Sequence, residues 1–105
     1  MEWSNEEDRQ VVMKLAKKST ITARRMNRIA AAENFLDLQH PAIGRAHFLK
    51  GEYAGYFALD LESKTRPSRL ICKPTGKAEK RGDQYIKESI TEFEVIKIER
   101  DYHKK

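Results

Sequence analysis

The stretch "QHPAIG" at residues 39–44 divides the chain into two different periodicities. Pro41 disfavours helical geometry at His40, and Gly44 permits a turn. Ahead of this break the apolar residues recur at helical spacing; behind it they alternate, as strands require. The chain has 105 residues, the length of one domain, so the two halves have to share one core. The expectation is a single α+β domain over residues 1–105, with an N-terminal helical hairpin packed on a small antiparallel β-sheet.

Residues 4–18, "SNEEDRQVVMKLAKK", read as the first helix. Ser4 is placed as its N-cap, with Glu7 completing a capping box. Acids fill the first turn and lysines the last, as the helix dipole favours. Val11, Val12, Leu15 and Ala16 form its apolar stripe. A second helix is expected over residues 20–38, capped by Thr20 or Thr22, with Ile21 and Met26 set to form a hydrophobic staple. Met26, Ile29, Ala32 and Leu36 then carry its apolar face. The short "KST" join suits an antiparallel hairpin.

Beyond the break, "RAHFLK" (45–50) reads as a strand, "EYAG" as a turn, and "YFALDL" (56–61) as an alternating strand. Alternation puts Phe57, Leu59 and Leu61 on one face and Tyr56, Ala58 and Asp60 on the other. "ESKTRP" is a turn into "SRLICKP" (68–74), where Leu70 and Cys72 oppose Arg69, Ile71 and Lys73. "TGKAEKRGD" reads as a basic loop, "QYIKESI" as a short helix or irregular excursion, and "FEVIKIER" (93–100) as the last strand. A short first strand over Met1–Trp3 is also compatible with the pattern. Short turns between strands imply antiparallel pairing, and two helices can cover only one face.

The net charge is +5 and unevenly placed. Lys14, Lys17, Lys18, Arg24, Arg25 and Arg28 stand together without an acid among them. From Lys64 to Gly82 seven basic residues, Lys73, Lys77, Lys80 and Arg81 among them, face Glu79 alone. Such blocks fit a polyanionic partner, whose phosphates release counterions on binding. A solubilising face and a surface for an acidic protein are the alternatives. No apolar run approaches the ~18–20 residues that span a bilayer, and "MEWSNEEDR" lacks the basic-then-apolar pattern of a signal peptide. A single cysteine, Cys72, cannot form an internal disulfide. A reduced, cytoplasmic protein is expected.

The sequence lacks GxGxxG, GxxxxGK[ST], CxxC and HExxH, so no cofactor or metal is expected. Polar groups near strand ends are more informative. "HFLKG" offers His47 and Lys50, "SRLICK" offers Arg69 and Lys73 on one strand face, and "ERDYHKK" ends in Asp101, Tyr102 and His103. Metal-free RNA cleavage needs such groups. A base takes the 2′-hydroxyl proton, an acid protonates the 5′-oxygen, and cations stabilise the phosphoryl oxygens. Histidine can play either proton role, and tyrosine can stack on a base. The structural alternative is that His47 is half-buried, Arg69 pairs with Asp60 or Asp101, and Tyr102 caps the core.

"HFLKG", "GYFALDL", "SRLICKP" and "ITEFEVIKIERDYHKK", in that order, resemble the HigB/RelE superfamily of bacterial toxins, often labelled plasmid maintenance system killer proteins. The resemblance implies a RelE-like, microbial-RNase-like sheet packed on two helices. It also implies ribosome-dependent endonucleolytic cleavage of mRNA without metal. By position, His47 and Lys50 match residues implicated in catalysis, and Arg69 matches an arginine that meets the scissile phosphate. Tyr102 and His103 match the terminal pair that stacks and does acid/base work, while Asp101 orients a neighbour. The basic residues from Lys14 to Arg28, with Lys73, Lys77, Lys80 and Arg81, are then the RNA and ribosome contacts. The implied partners are the ribosome, mRNA and a cognate antitoxin, a small helix-turn-helix protein; no membrane partner is implied. Gyrase-directed toxins and regulatory binding proteins of the same architecture are the alternative. The chain departs from the pattern at residues 74–92, a longer and more basic excursion than in the smallest members.

Overall fold

Asn5, rather than Ser4, opens the first helix. Its side-chain oxygen accepts from the amides of Glu7 and Asp8 at 2.8 and 3.3 Å, satisfying two of the donors that a helix start leaves unpaired. Ser4 is engaged elsewhere: its amide donates to the Val95 carbonyl at 2.9 Å, and its hydroxyl lies 3.1 Å from the carbonyls of Val95 and Ile96. Helix α1 spans Glu6–Lys18. The computed structural model describes residues 1–61 and 68–100; the expected turn over 62–67 and the terminal Asp101, Tyr102 and His103 lie outside them.

Ser19 alone separates α1 from α2 (Thr20–Ala31) and caps the latter, its hydroxyl accepting from the Thr22 amide at 3.2 Å. Neither expected threonine caps this helix; Thr22 is fully buried in its first turn. Ile21 is 52% exposed, so no staple forms on Met26, which packs against the core. The expected helix to residue 38 is two helices. Ala32 turns extended, and Asn34 caps α3 (Phe35–Leu38) by accepting from the amides of Leu36 and Asp37 at 2.9 and 3.3 Å. Asparagine competes with the helix for its own backbone, and here the competition moves the apolar register by one. Phe35 and Leu38 become buried, while Leu36 is 45% exposed.

The main sheet has five strands in the order β1-β7-β4-β3-β2. These are β1 (Glu2–Trp3), β2 (His47–Phe48), β3 (Phe57–Asp60), β4 (Ser68–Pro74) and β7 (Phe93–Arg100). The sheet is mixed rather than antiparallel, because β1 runs parallel to β7. Tight turns dictate antiparallel pairing only between strands they connect; β1 and β7 stand at opposite ends of the element order. The strand expected over 45–50 is only two residues long. The expected basic loop holds β5 (Lys80–Arg81), which pairs as a separate hairpin with β6 (Gln84–Tyr85) at the start of the expected excursion. The short helix expected there is a single 3₁₀ turn at Lys87–Ser89.

One face of the sheet carries Phe57, Leu59, Leu61, Leu70, Cys72, Phe93 and Val95 into a core with Val12, Ile29, Phe35 and Leu38. Gly44 lies so close beneath it that a Cβ there would meet Leu59 Cδ2 at 2.9 Å. Phe35 stacks on Phe48 (4.4 Å between centroids, 9° between planes) and meets Phe57 edge-on at 5.1 Å. The Phe35→Ala variant is therefore expected to lose about 3–5 kcal/mol. The neighbouring Leu36→Ala should stay within about 0.5 kcal/mol of the parent. Chemical denaturation of both variants checks this; equal losses would contradict the shifted register.

Candidate functional site

Antiparallel pairing turns the alternation of three strands into a common surface on the face away from the helices. His47 pairs with Ala58, Ala58 with Ile71, and Ile71 with Lys97. In the adjoining row Asp60 pairs with Arg69, and Arg69 with Glu99. Register partners point to the same side of a sheet. His47, Asp60, Arg69, Lys97 and Glu99 therefore project from one face, around a floor of Ala58 and Ile71. Both floor residues are fully buried although they face away from the helical core. Past Ile71 the register slips by one residue, leaving Ile96 as a bulge. Ser4 fastens this bulge, through its hydroxyl next to the Val95 and Ile96 carbonyls.

His47 is exposed, and its Nδ1 lies 3.2 Å from the Arg45 carbonyl oxygen. A carbonyl only accepts, so Nδ1 carries the hydrogen and donates, which leaves Nε2 as the basic nitrogen. Arg45 adopts φ +49°, unusual for a residue with a side chain, and its Nε stands 3.7 Å from Asp60 Oδ2. Strand β2 ends at Phe48, with one more ladder bond from the Leu49 amide to Tyr56. The chain then leaves the strand at Lys50, which precedes a one-turn 3₁₀ helix, Gly51–Tyr53. In an unbroken strand His47 and Lys50 would sit on opposite faces; the end of β2 releases Lys50 from that alternation.

The one-turn helix delivers Tyr53 to the sheet face, where Lys97 Nζ lies 5.2 Å from the ring centroid. A hydrogen bond with Tyr53 is the largest influence holding the Lys97 ammonium above its ordinary pKa; partial burial opposes it, and Glu99 adds attraction. Lys97 is thus a fixed cation and not a proton acceptor near neutrality. Arg69 donates from Nε to Glu99 Oε1 at 2.7 Å, and Lys97 Nζ is 3.5 Å from Glu99 Oε2. Burial pushes the Glu99 carboxyl upward, but the bond and charge of Arg69, joined by Lys97, outweigh it and hold the carboxyl low. Arg69 therefore pairs with Glu99, a partner the sequence did not suggest.

The remaining expected contacts divide between surfaces. Lys73 is exposed on β4, opposite Glu94 of β7. Lys77, Lys80 and Arg81 are exposed on the excursion. Lys14, Lys17, Lys18 and Arg24 are exposed on the helices, across the core from the His47 face. Two helical arginines hold backbone: Arg25 donates to the Asp60 carbonyl at 3.4 Å and Arg28 to the Ala42 carbonyl at 3.0 Å. Burial pushes the Cys72 thiol far up, which makes it an inert core group. Among the described residues no three His, Cys, Asp or Glu side chains are grouped to hold a metal ion, and no helix is long and apolar enough to cross a membrane. Sequence reading missed Tyr53, Lys97 and Glu99. Alternation along "FEVIKIER" was the available signal for the last two; none pointed to Tyr53.

In comparisons with family models, curated proteins and solved structures, the chain has no match.

Glu99 supplies a measurable acid dependence. A carboxyl held low in the folded state contributes stability that is present above its unfolded value of about 4.3 and lost as pH falls through the folded one. Glu99→Gln should be less stable than the parent at pH 7, and that difference should shrink steadily from pH 5 to pH 3. Urea midpoints across this range measure it; a constant difference would contradict the Arg69–Glu99–Lys97 arrangement.

Proposed function

We propose that this chain is the toxin of a type II toxin–antitoxin system, a ribosome-dependent mRNA endoribonuclease of the HigB/RelE kind that needs no metal. The observation that carries the reading is the register. It sets an exposed histidine, His47, on the same sheet face as Arg69 and Lys97, with the tyrosine ring of Tyr53 against Lys97. The strand order and the motif resemblance support a RelE-like, microbial-RNase-like sheet.

In this reading His47 Nε2 takes the proton of a 2′-hydroxyl, and the freed oxygen attacks the adjacent phosphorus. The 5′-oxygen leaves with a proton from an acid, and the products are a 2′,3′-cyclic phosphate and a 5′-hydroxyl. Arg69, Lys97 and Lys50 offset the charge that builds on the phosphoryl oxygens. Tyr102 and His103, with Asp101 orienting them, provide the stacking and the acid; they follow β7 in sequence. The partners are the ribosome with its bound mRNA, and an antitoxin that masks the site until released. The place of action is the cytoplasm.

The lock of Arg69 onto Glu99 favours a second reading, in which the same face binds without cutting, as in a gyrase-directed or regulatory relative. Induction of the chain alone separates the two. The proposal expects growth arrest with transcripts cut inside codons by primer extension. It expects His47→Ala, Lys50→Ala and deletion of residues 101–105 each to lower cleavage at least ~100-fold while far-ultraviolet circular dichroism is unchanged. Arrest with intact transcripts would overturn the ribonuclease and leave the binding reading.

A further inference from the structure

The 74–92 excursion, which departs from the family pattern, folds into a fixed wall. Thr75 donates from its amide to the Glu92 carbonyl at 3.0 Å, closing the base of the excursion. The Ile86 amide donates to the Glu79 carbonyl at 2.8 Å, and the Ser89 hydroxyl accepts from the Glu79 amide at 2.8 Å. Ile90, fully buried, anchors the segment in the core. The β5–β6 hairpin is thereby held against the end of β2. Tyr85 stacks on Phe48 with centroids 6.1 Å apart and planes 12° apart, and Phe48 stacks on Phe35. A column of three rings runs from the core to the surface.

Two clefts share Gln84, Tyr85 and Lys87 as walls. The larger, about 450 Å³, lies between the hairpin and the loop that follows β2, lined also by Phe48, Gly55 and Asp83. The smaller, about 350 Å³, is lined also by Arg81, Ile86 and Glu88. Each is within the ~300–1,000 Å³ range of small-ligand clefts, and the shared walls set the two side by side, as consecutive units of a polymer require. Gly55 (φ +91°) leaves open space on the cleft side: a Cβ there would meet nothing within 4 Å.

We propose that these clefts bind two successive nucleotides of single-stranded RNA, with one base stacking beside Tyr85. The ligand class rests on the RNA-directed reading above; the site itself rests on the excursion. Aromatic rings at a surface cleft rimmed by cations form the usual platform for single strands. Lys80 Nζ lies over the Tyr85 ring, 4.9 Å from its centroid, and swings from the ring to a phosphate when a base stacks there. Lys87 lines both clefts, and Lys50 belongs to the bordering loop. The Asp83 carboxylate repels phosphate and accepts from base amino groups. The base therefore points to Asp83 and Gln84, and the backbone runs along the lysines. Uracil, without an amino group, is the poorest fit.

Titrating the intact ¹⁵N-labelled chain with 2′-O-methyl oligoadenylate, which cannot be cut, tests the site. Amide shifts are expected at Ala54, Gly55 and Gln84. Tyr85→Leu, which keeps an apolar contact with Phe48, should weaken binding at least about tenfold. The surface variant Lys87→Glu should weaken it and flatten its salt dependence. Oligouridylate should bind more weakly than oligoadenylate, and Asp83→Ala should narrow that gap. Shifts confined to the His47–Lys97 face, or unchanged affinity in both variants, would overturn the proposal. A chain that cuts transcripts while its cleft amides stay still overturns the clefts alone. One that cuts nothing yet shows these shifts supports the clefts and overturns the ribonuclease.

Discussion

The stacking of Phe35 on Phe48 ties the helix layer to the edge of the sheet. Phe35 opens the third helix, Phe48 belongs to the edge strand, and Tyr85 completes the column from the excursion. The Phe35 amide also donates to the Ile90 carbonyl at 3.0 Å, so one residue ties helix layer, sheet and excursion by backbone and ring together. Offset aromatic pairs add about 0.5–1.5 kcal/mol beyond the area they bury. The larger consequence is positional. Phe48 is fixed on the core side, and its neighbour His47 is therefore fixed on the open side.

The open face is built from salt-bridged charges rather than free ones. Asp60 holds Arg45, and Glu99 holds both Arg69 and Lys97. A face arranged this way keeps its cations in place before any anion arrives, which limits the side-chain entropy lost on binding. Any anion that engaged Arg69 would have to compete with Glu99 for it.

The long strands were legible because alternation is self-contained: "SRLICKP" and "FEVIKIER" match β4 and β7 to the residue. Helix ends were not, because a cap is decided by competition. Ser4 has the chemistry of a cap, but the bulge at Ile96 takes its hydroxyl, and Asn5 takes the role. Asn34, in mid-pattern, gave no periodic signal that it would split the second helix. Of the site, alternation was enough to place Arg69, while His47 also needed the register of β2. Glu99 was missed as a partner of Arg69 because the bulge in β7 changes which residue lies opposite. Tyr53 reaches Lys97 only through a fold-back that no local spacing encodes. The Asp101–Tyr102–His103 motif lies outside the described residues.

Both strands at the margins of the main sheet, β1 and β2, are two residues long. A sheet margin is a row of unpaired backbone groups that invites another copy to add a strand. Here each marginal strand offers too short a row to template such growth, and β4 is enclosed between β3 and β7, while β1 pairs with β7 only at Glu94 and Val95. The shortness of β2 thus has a colloidal effect as well as a local one: at that margin it leaves little room for edge-to-edge self-association.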